Sequence, residues 1–88
     1  METRRSAQQD PGYEPIPGFL RQLRQEAGLT QRSLGQQLGK PQSWVQNCEI
    51  GVRRVDVREF VAWSSACGVN PKVSMNRLLQ VLDDKNTQ

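Results

Sequence analysis

Apolar positions recur at helical spacing through most of the chain, and no stretch alternates as a half-buried strand does. The first apolar face begins near residue 18 and is formed by Phe19, Leu20, Leu23 and Ala27. Polar residues occupy the opposite face, so this segment is predicted to be an amphipathic helix. Gly28 follows directly and predicts its end, because glycine adopts the left-handed backbone that closes helices.

Two shorter helices are predicted next, joined by a tight turn. Thr30 is suited to cap the second helix, whose two leucines lie four residues apart, and Gly39 predicts its end. Proline disfavours the α conformation in the residue before it and suits the first turn of a helix. The third helix is therefore predicted from Pro41 to about Ile50, with Val45 and Cys48 buried.

The last third of the chain predicts two more helices. Asp56 and Glu59 have the spacing of a capping box, which predicts a fourth helix that ends at Gly68. Its predicted core face consists of Val57, Phe60, Val61, Ser64 and Cys67. A fifth helix over residues 76–82 carries Leu78, Leu79 and Leu82, which either cover the core or form a dimer surface. The fold class is therefore all-α, a bundle of five short helices.

The two ends of the chain differ from this pattern. Residues 1–15 contain prolines, glutamines and charges without a periodic apolar face, which predicts a disordered N-terminal arm. Arg4 and Arg5 in this arm leave open a contact with a DNA minor groove. The folded domain is predicted over residues 16–82, followed by a flexible tail over residues 83–88.

Composition limits the possible functions. With 88 residues, of which 35% are hydrophobic, the chain can form one small domain. It has no histidine and two cysteines without a second pair, so we expect no metal, no cofactor and no enzyme activity. No apolar run is long enough for a membrane span and no signal peptide is visible, so we expect a cytoplasmic protein.

Charge points towards nucleic acid. The net charge is +3, and residues 18–71 contain seven basic and four acidic residues. A basic excess within the folded part of a small domain favours a nucleic acid or an acidic protein as partner. The charge alone does not separate these two kinds of partner.

Residues 30–51 have the residue types that a helix-turn-helix needs. Two helices that cross closely need a small residue midway, which Gly35 supplies, and the turn needs a residue that tolerates positive φ, which Gly39 supplies. Val45 is a β-branched core residue six positions later. Gln31 opens the first of the two helices, where its amide can face a phosphate.

These residues belong to a longer run that resembles a known family. The matching elements are LR-x-x-R-x-x-x-GLTQ, L-G-x-x-LG, QSWVQ, E-x-G and GVNP, within about residues 18–71. The run is similar to the Cro/cI-type (XRE) helix-turn-helix domain of phage repressors and small bacterial transcriptional regulators. The resemblance implies a compact five-helix bundle of the phage-repressor DNA-binding type, with the third helix in the major groove.

The resemblance also implies roles for individual residues. The residues that would read bases are Gln42, Ser43, Gln46 and Asn47. The residues that would contact the DNA backbone are Thr30, Gln31, Arg32, Lys40, Trp44, Arg53 and Arg54. For Trp44 the alternative is that its ring folds back over the first helix or is simply half-exposed. Arg24 and Glu49 would form a structural ion pair that fixes the recognition helix.

The function expected from this resemblance is that of a sequence-specific regulator of transcription that binds double-stranded DNA. A repressor that acts as a homodimer is favoured, and its two-fold symmetry predicts half-sites with centres about 10 base pairs apart. Two alternatives stay open. The chain could be an antitoxin-like or other protein-interaction subunit in which DNA binding is secondary, or a nucleic-acid-binding domain without sequence preference.

Overall fold

The computed structural model describes residues 10–86, which form five α-helices and no strand. The helices are α1 (Pro15–Glu26), α2 (Gln31–Leu38), α3 (Gln42–Glu49), α4 (Val57–Ala66) and α5 (Pro71–Asn86). The all-α prediction is therefore confirmed. None of these helices combines the length and the hydrophobicity needed to cross a membrane.

Local sequence signals begin α2 and α4 as predicted, and a glycine ends α2. Thr30 caps α2 in a reciprocal box with Ser33, since the Thr30 hydroxyl accepts from the Ser33 amide at 3.0 Å and the Ser33 hydroxyl from the Thr30 amide at 2.9 Å. Gly39 ends α2 in the left-handed conformation with φ 70°. Asp56 and Glu59 form the predicted capping box of α4.

The last helix is longer than predicted. Asn70 accepts a hydrogen bond from the Lys72 amide through its side chain, at 2.8 Å, and Pro71 occupies the first helical position. Proline is favoured there because its missing amide hydrogen is not needed. The helix α5 therefore begins at Pro71, before the predicted range of residues 76–82, and it runs to Asn86. Of the predicted tail, residues 83–86 are helical and residues 87–88 lie outside the described part.

The N-terminal boundary of the domain also differs from the prediction. Residues 10–14 form a turn before α1, and the Tyr13 side chain in this turn is buried. The Tyr13 hydroxyl accepts a hydrogen bond from the Val55 amide at 3.0 Å. Residues 10–15 thus belong to the folded domain, because the buried Tyr13 ring and its hydrogen bond to Val55 attach them to it. The rest of the predicted arm, residues 1–9, lies outside the described residues.

The core lies where α1, α2, α3, α4 and α5 meet. Trp63 is its largest fully buried side chain, and the indole donates a hydrogen bond to the Leu20 carbonyl at 3.0 Å. The other core residues are Phe19, Leu20, Leu23, Leu34, Val45, Cys48, Phe60, Cys67 and Leu78. Burial raises the pKa of both cysteine thiols to about 11, so they are buried in the core in their protonated form.

The predicted core face of α4 is partly wrong. Val57 and Val61 are 73% and 41% exposed, while Trp63 is fully buried. The helix is rotated so that the side bearing the indole faces inward, because a tryptophan side chain buries more apolar area than a valine. Phe60, Ser64 and Cys67 lie on the buried side as predicted.

Candidate nucleic-acid interface

The close packing of α2 against the following turn depends on Gly35. A Cβ atom at this buried glycine would lie 2.6 Å from the carbonyl oxygen of Lys40. The Lys40 amide donates to the Gly35 carbonyl at 2.8 Å, which fixes the turn that leads into α3. The expected need for a small residue at the crossing is therefore confirmed, and α2 and α3 form a helix-turn-helix unit.

A buried ion pair joins this unit to α1. Arg24 donates from Nε to Glu49 Oε2 at 2.6 Å and from Nη2 to Glu49 Oε1 at 3.0 Å. The two side chains are 10% and 2% exposed. Arg24 Nη1 also donates to the Leu29 carbonyl at 2.8 Å, and the hydrogen bonds that the guanidinium donates to Glu49 raise its pKa. The pair holds the last turn of α3 against the end of α1.

Two glutamine amides extend this ion pair to the surface. Gln31 donates from Nε2 to Glu49 Oε1 at 3.0 Å, so its amide oxygen points away from the carboxylate. That oxygen accepts from Gln42 Nε2 at 3.3 Å. The buried carboxylate thereby sets the orientation of the first side chain of α3 through one intervening amide.

The outer face of α3 is polar and open to solvent. Its exposed residues are the four predicted base readers, Gln42, Ser43, Gln46 and Asn47. Val45, Cys48 and Glu49 are buried on the opposite side. The predicted division of this helix into a polar face and a core face is confirmed, and the polar face presents amide and hydroxyl groups.

Trp44 does not project freely from α3. Its ring is half-buried and lies 6.2 Å from the ring of Trp63, measured between centroids. Lys40 Nζ and Arg53 Cζ lie 5.2 Å and 4.9 Å from the Trp44 ring centroid. The ring is therefore half-buried and packs against Trp63 of α4, which agrees with the alternative of a half-exposed ring.

Arg53 is tied to α4 by a carboxylate. Its Nη1 and Nη2 donate to Glu59 Oε1 and Oε2, both at 3.0 Å, and Nη1 also donates to the Arg54 carbonyl at 2.7 Å. Glu59 Oε1 accepts the Asp56 amide in the capping box as well. Arg53 is thus a partly exposed cation whose two terminal nitrogens both donate to Glu59, which the sequence did not indicate.

The Arg53–Glu59 pair is expected to make the stability of the domain depend on pH in the acid range. The hydrogen bonds from Arg53 lower the pKa of Glu59 below the ordinary value of 4.5. A carboxyl with a lowered pKa in the folded state stabilises the domain above its unfolded pKa, and this stabilisation is lost as the pH falls through the folded pKa. We expect Glu59→Gln to lower stability at pH 7 and to lose less stability than wild type between pH 5 and about pH 3.

Urea unfolding at a series of pH values measures this difference. Glu14→Gln, at an exposed glutamate before α1, is the matched control and should follow the wild-type pH dependence. Parallel pH profiles for wild type and Glu59→Gln would contradict the stabilising role of the pair.

The other residues predicted to contact the DNA backbone lie in two places. A shallow depression at the start of α2 is lined by Thr30, Gln31, Arg32 and Gln42, together with Arg24, Gly28 and Leu29. Arg54 lies in the loop between α3 and α4 and is exposed, as is Lys40 in the turn before α3. The two groups lie on segments that precede and follow α3, the predicted recognition helix.

Two residues near this surface were missed by sequence reasoning. Asp10 forms an ion pair with Arg54, and the ring of Tyr13 lies under the Arg54 guanidinium, 4.9 Å from Cζ. Both were assigned to the N-terminal arm. The available signal was Tyr13 itself, the only tyrosine of the chain, which lies two residues before Pro15 at the start of α1.

The α2–turn–α3 unit, fixed on α1 by a buried ion pair, defines a helix-turn-helix DNA-binding domain. Residues 18–78 match a family model described as a helix-turn-helix domain. A similar solved structure is an XRE-family like protein from Pseudomonas syringae pv. tomato str. DC3000, at 34% identity and a TM-score of 0.72, covering 80% of this chain and 85% of that one. The chain belongs to the XRE-type helix-turn-helix family. No curated protein matches it.

Proposed function

We propose that this protein is a sequence-specific regulator of transcription, most simply a repressor, that places α3 in the major groove of double-stranded DNA. The observation that carries the proposal is the polar outer face of α3, held in place by the buried Arg24–Glu49 pair. A recognition helix needs such a fixed base, because base-edge hydrogen bonds lose specificity when the donors and acceptors can shift.

Base reading is assigned to Gln42, Ser43, Gln46 and Asn47. Glutamine and asparagine amides pair with the N6 and N7 edge of adenine through one donor and one acceptor, and serine bonds to several bases. Gln42 is the one with a fixed orientation, because its amide nitrogen already donates to Gln31. We therefore expect Gln42 to tolerate fewer bases than its neighbours on α3.

Backbone contacts are assigned to the two groups of residues around α3. Thr30, Gln31 and Arg32 at the start of α2 form one group, and Lys40 and Arg54 form the other. Phosphate contacts fix the register of a protein on DNA and make its affinity depend on salt. Because Trp44 carries Lys40 and Arg53 over its ring, we assign to Trp44 and Arg53 the support of this surface rather than separate contacts.

Homodimer formation is proposed through α5. Leu78 on this helix is buried in the core, whereas Val73 and Leu79 are each 50% exposed and line a shallow depression with Asn76 and Gln80. An exposed apolar pair on the last helix can pack against the same pair of a second copy about a two-fold axis. A two-fold dimer would read an inverted repeat with half-site centres about 10 base pairs apart.

Selection of bound duplexes from a randomised DNA library, at about 150 mM salt, tests the proposal. An inverted repeat among the selected sequences is the expected result. Binding without any motif, which disappears as the salt rises, would instead favour a nucleic-acid-binding domain without sequence preference. No binding at all would direct the search to a protein partner.

The selection also tests one base contact. We expect Gln46→Ala to relax the preference at one position in each half-site by about 1–3 kcal/mol, the usual effect of removing a bidentate contact. Gln37→Ala is the matched control, because Gln37 is an exposed glutamine on α2 outside the proposed contacts. The assignment of α3 fails if both variants select the same motif as wild type.

A further inference from the structure

The turn before α1 is attached to the loop that follows the proposed recognition helix. Within the turn, the Gly12 amide donates to Asp10 Oδ1 at 2.9 Å and the Tyr13 amide donates to the Asp10 carbonyl at 3.0 Å. Tyr13 is 7% exposed, and its hydroxyl accepts from the Val55 amide. A buried ring and a backbone hydrogen bond therefore fix residues 10–13 on the loop between α3 and α4.

Arg54 of that loop lies against this turn. Its Nη2 donates to Asp10 Oδ2 at 2.5 Å, and its Cζ lies 4.9 Å from the centroid of the Tyr13 ring. The Arg54 and Asp10 side chains are 53% and 44% exposed. An ion pair this exposed contributes little and can be exchanged for another acceptor, whereas the aromatic ring beneath the guanidinium stays in place.

Arg53, the neighbouring arginine, cannot exchange its acceptor in this way. Arg53 gives both terminal nitrogens to Glu59 and is held over Trp44. Arg54 gives one terminal nitrogen to Asp10, and a guanidinium has five N–H donors in all. Arg54 is therefore the arginine of this loop that can receive a phosphate without breaking a bidentate pair.

We propose that Tyr13 is a positioning residue for DNA binding: it holds the Arg54 guanidinium over its ring, and the loop backbone through Val55, so that Arg54 meets a phosphate beside the recognition helix. The turn at residues 10–13 thereby becomes part of the DNA interface. This inference rests on the proposed function, because it requires the protein to bind DNA. A ring under the guanidinium restricts its motion, so less conformational entropy is lost when the phosphate binds.

The test is a double-mutant cycle between Tyr13 and Arg54. Binding to a random-sequence duplex of 30 base pairs is measured at several salt concentrations, since phosphate contacts operate without an operator and without its symmetry. We expect Arg54→Gln to weaken binding and to lower the slope of log K against log salt by about 0.9, the value for one phosphate contact. Tyr13→Leu should produce a large part of both changes in the wild-type background and neither in the Arg54→Gln background.

Two further variants separate positioning from stability. Tyr13→Phe keeps the ring and removes the hydroxyl, so it should give a smaller loss of affinity that also vanishes in the Arg54→Gln background. Arg21→Gln is the matched control, because Arg21 is an exposed arginine on α1 that lies outside the proposed DNA contacts and the proposed dimer surface. It should leave the salt slope unchanged. If Tyr13 only stabilised the fold, its variants would lower thermal stability. Their loss of DNA affinity would then be the same in the wild-type and Arg54→Gln backgrounds.

The outcomes separate the inference from the function on which it rests. If Arg54→Gln lowers the salt slope while the Tyr13 variants act additively with it or not at all, the positioning role is wrong and the proposed function stands. If Arg54→Gln has no effect, Arg54 is not a phosphate contact and the inference fails with it. If wild type does not bind the duplex at any salt concentration, the proposed function itself fails.

Discussion

Glu49→Ala is expected to destabilise the domain by about 3–5 kcal/mol, because it leaves the Arg24 guanidinium buried without its carboxylate. The Arg24 side chain is only 10% exposed and has one other acceptor, the Leu29 carbonyl. A buried charge that loses its partner is far more costly than a broken surface pair. Gln31 loses its acceptor at the same time, so the chain of amides to Gln42 is broken as well.

Urea unfolding followed by circular dichroism measures this loss. The matched control is Glu26→Ala, since Glu26 pairs with Arg77 on the surface at 3.0 Å and its removal should leave the unfolding midpoint close to that of wild type. Because the total stability of a native domain is only about 5–15 kcal/mol, a loss of this size is a large share of it and should move the unfolding midpoint clearly. Equal midpoints for the two variants would show that the Arg24–Glu49 pair does not fix α3.

Gly35→Ala is expected to destabilise the domain by about 1–3 kcal/mol and to weaken DNA binding. The added Cβ would lie 2.6 Å from the Lys40 carbonyl oxygen, and this neighbour is backbone, so it cannot move aside as a flexible side chain could. Relief of the clash has to displace the turn between α2 and α3. Because this turn sets the start of α3, the base-reading face moves with it.

The control for this substitution is Gly18→Ala in α1. A Cβ at Gly18 has no neighbour within 4 Å, and the residue is exposed. Replacing an unstrained helical glycine by alanine stabilises a protein by about 0.5–1 kcal/mol. The two substitutions are chemically identical, so opposite signs of the change in unfolding free energy isolate the effect of close packing. A Gly35→Ala variant as stable as Gly18→Ala would refute the role of Gly35 at the crossing.

The local parts of the fold could be predicted because each has its signal in a short segment. Thr30 and Asp56 cap their helices by hydrogen bonds to residues three positions away, and Gly39 adopts positive φ within a single turn. Helical periodicity separates Gln42, Ser43 and Gln46 from the buried Val45 and Cys48, and the family resemblance assigned these three residues and Asn47 to base reading. The Arg24–Glu49 pair, 25 residues apart, came from the family resemblance and not from any local pattern.

Contacts between distant segments could not be predicted in this way. The orientation of α4 depended on whether Trp63 or the valines buried more area, which only the packing of all the helices decides. The placement of Tyr13 against Val55 joins residues 42 positions apart, and no periodicity indicates such a contact. The length of α5 was underestimated because Asn70 and Pro71 are typical of both a connector and a helix start.

The sequence by itself determined an all-α domain, its helix-turn-helix and the polar face of α3, because helix periodicity, caps and glycine turns act over a few residues. Only the tertiary structure decided which partners the cationic side chains around that face have. Arg53 donates hydrogen bonds to Glu59, Arg54 lies over Tyr13, and Trp44 packs on Trp63. These partners come from other helices and from the N-terminal turn, and a charge's availability to DNA depends on which acceptors the folded chain brings beside it.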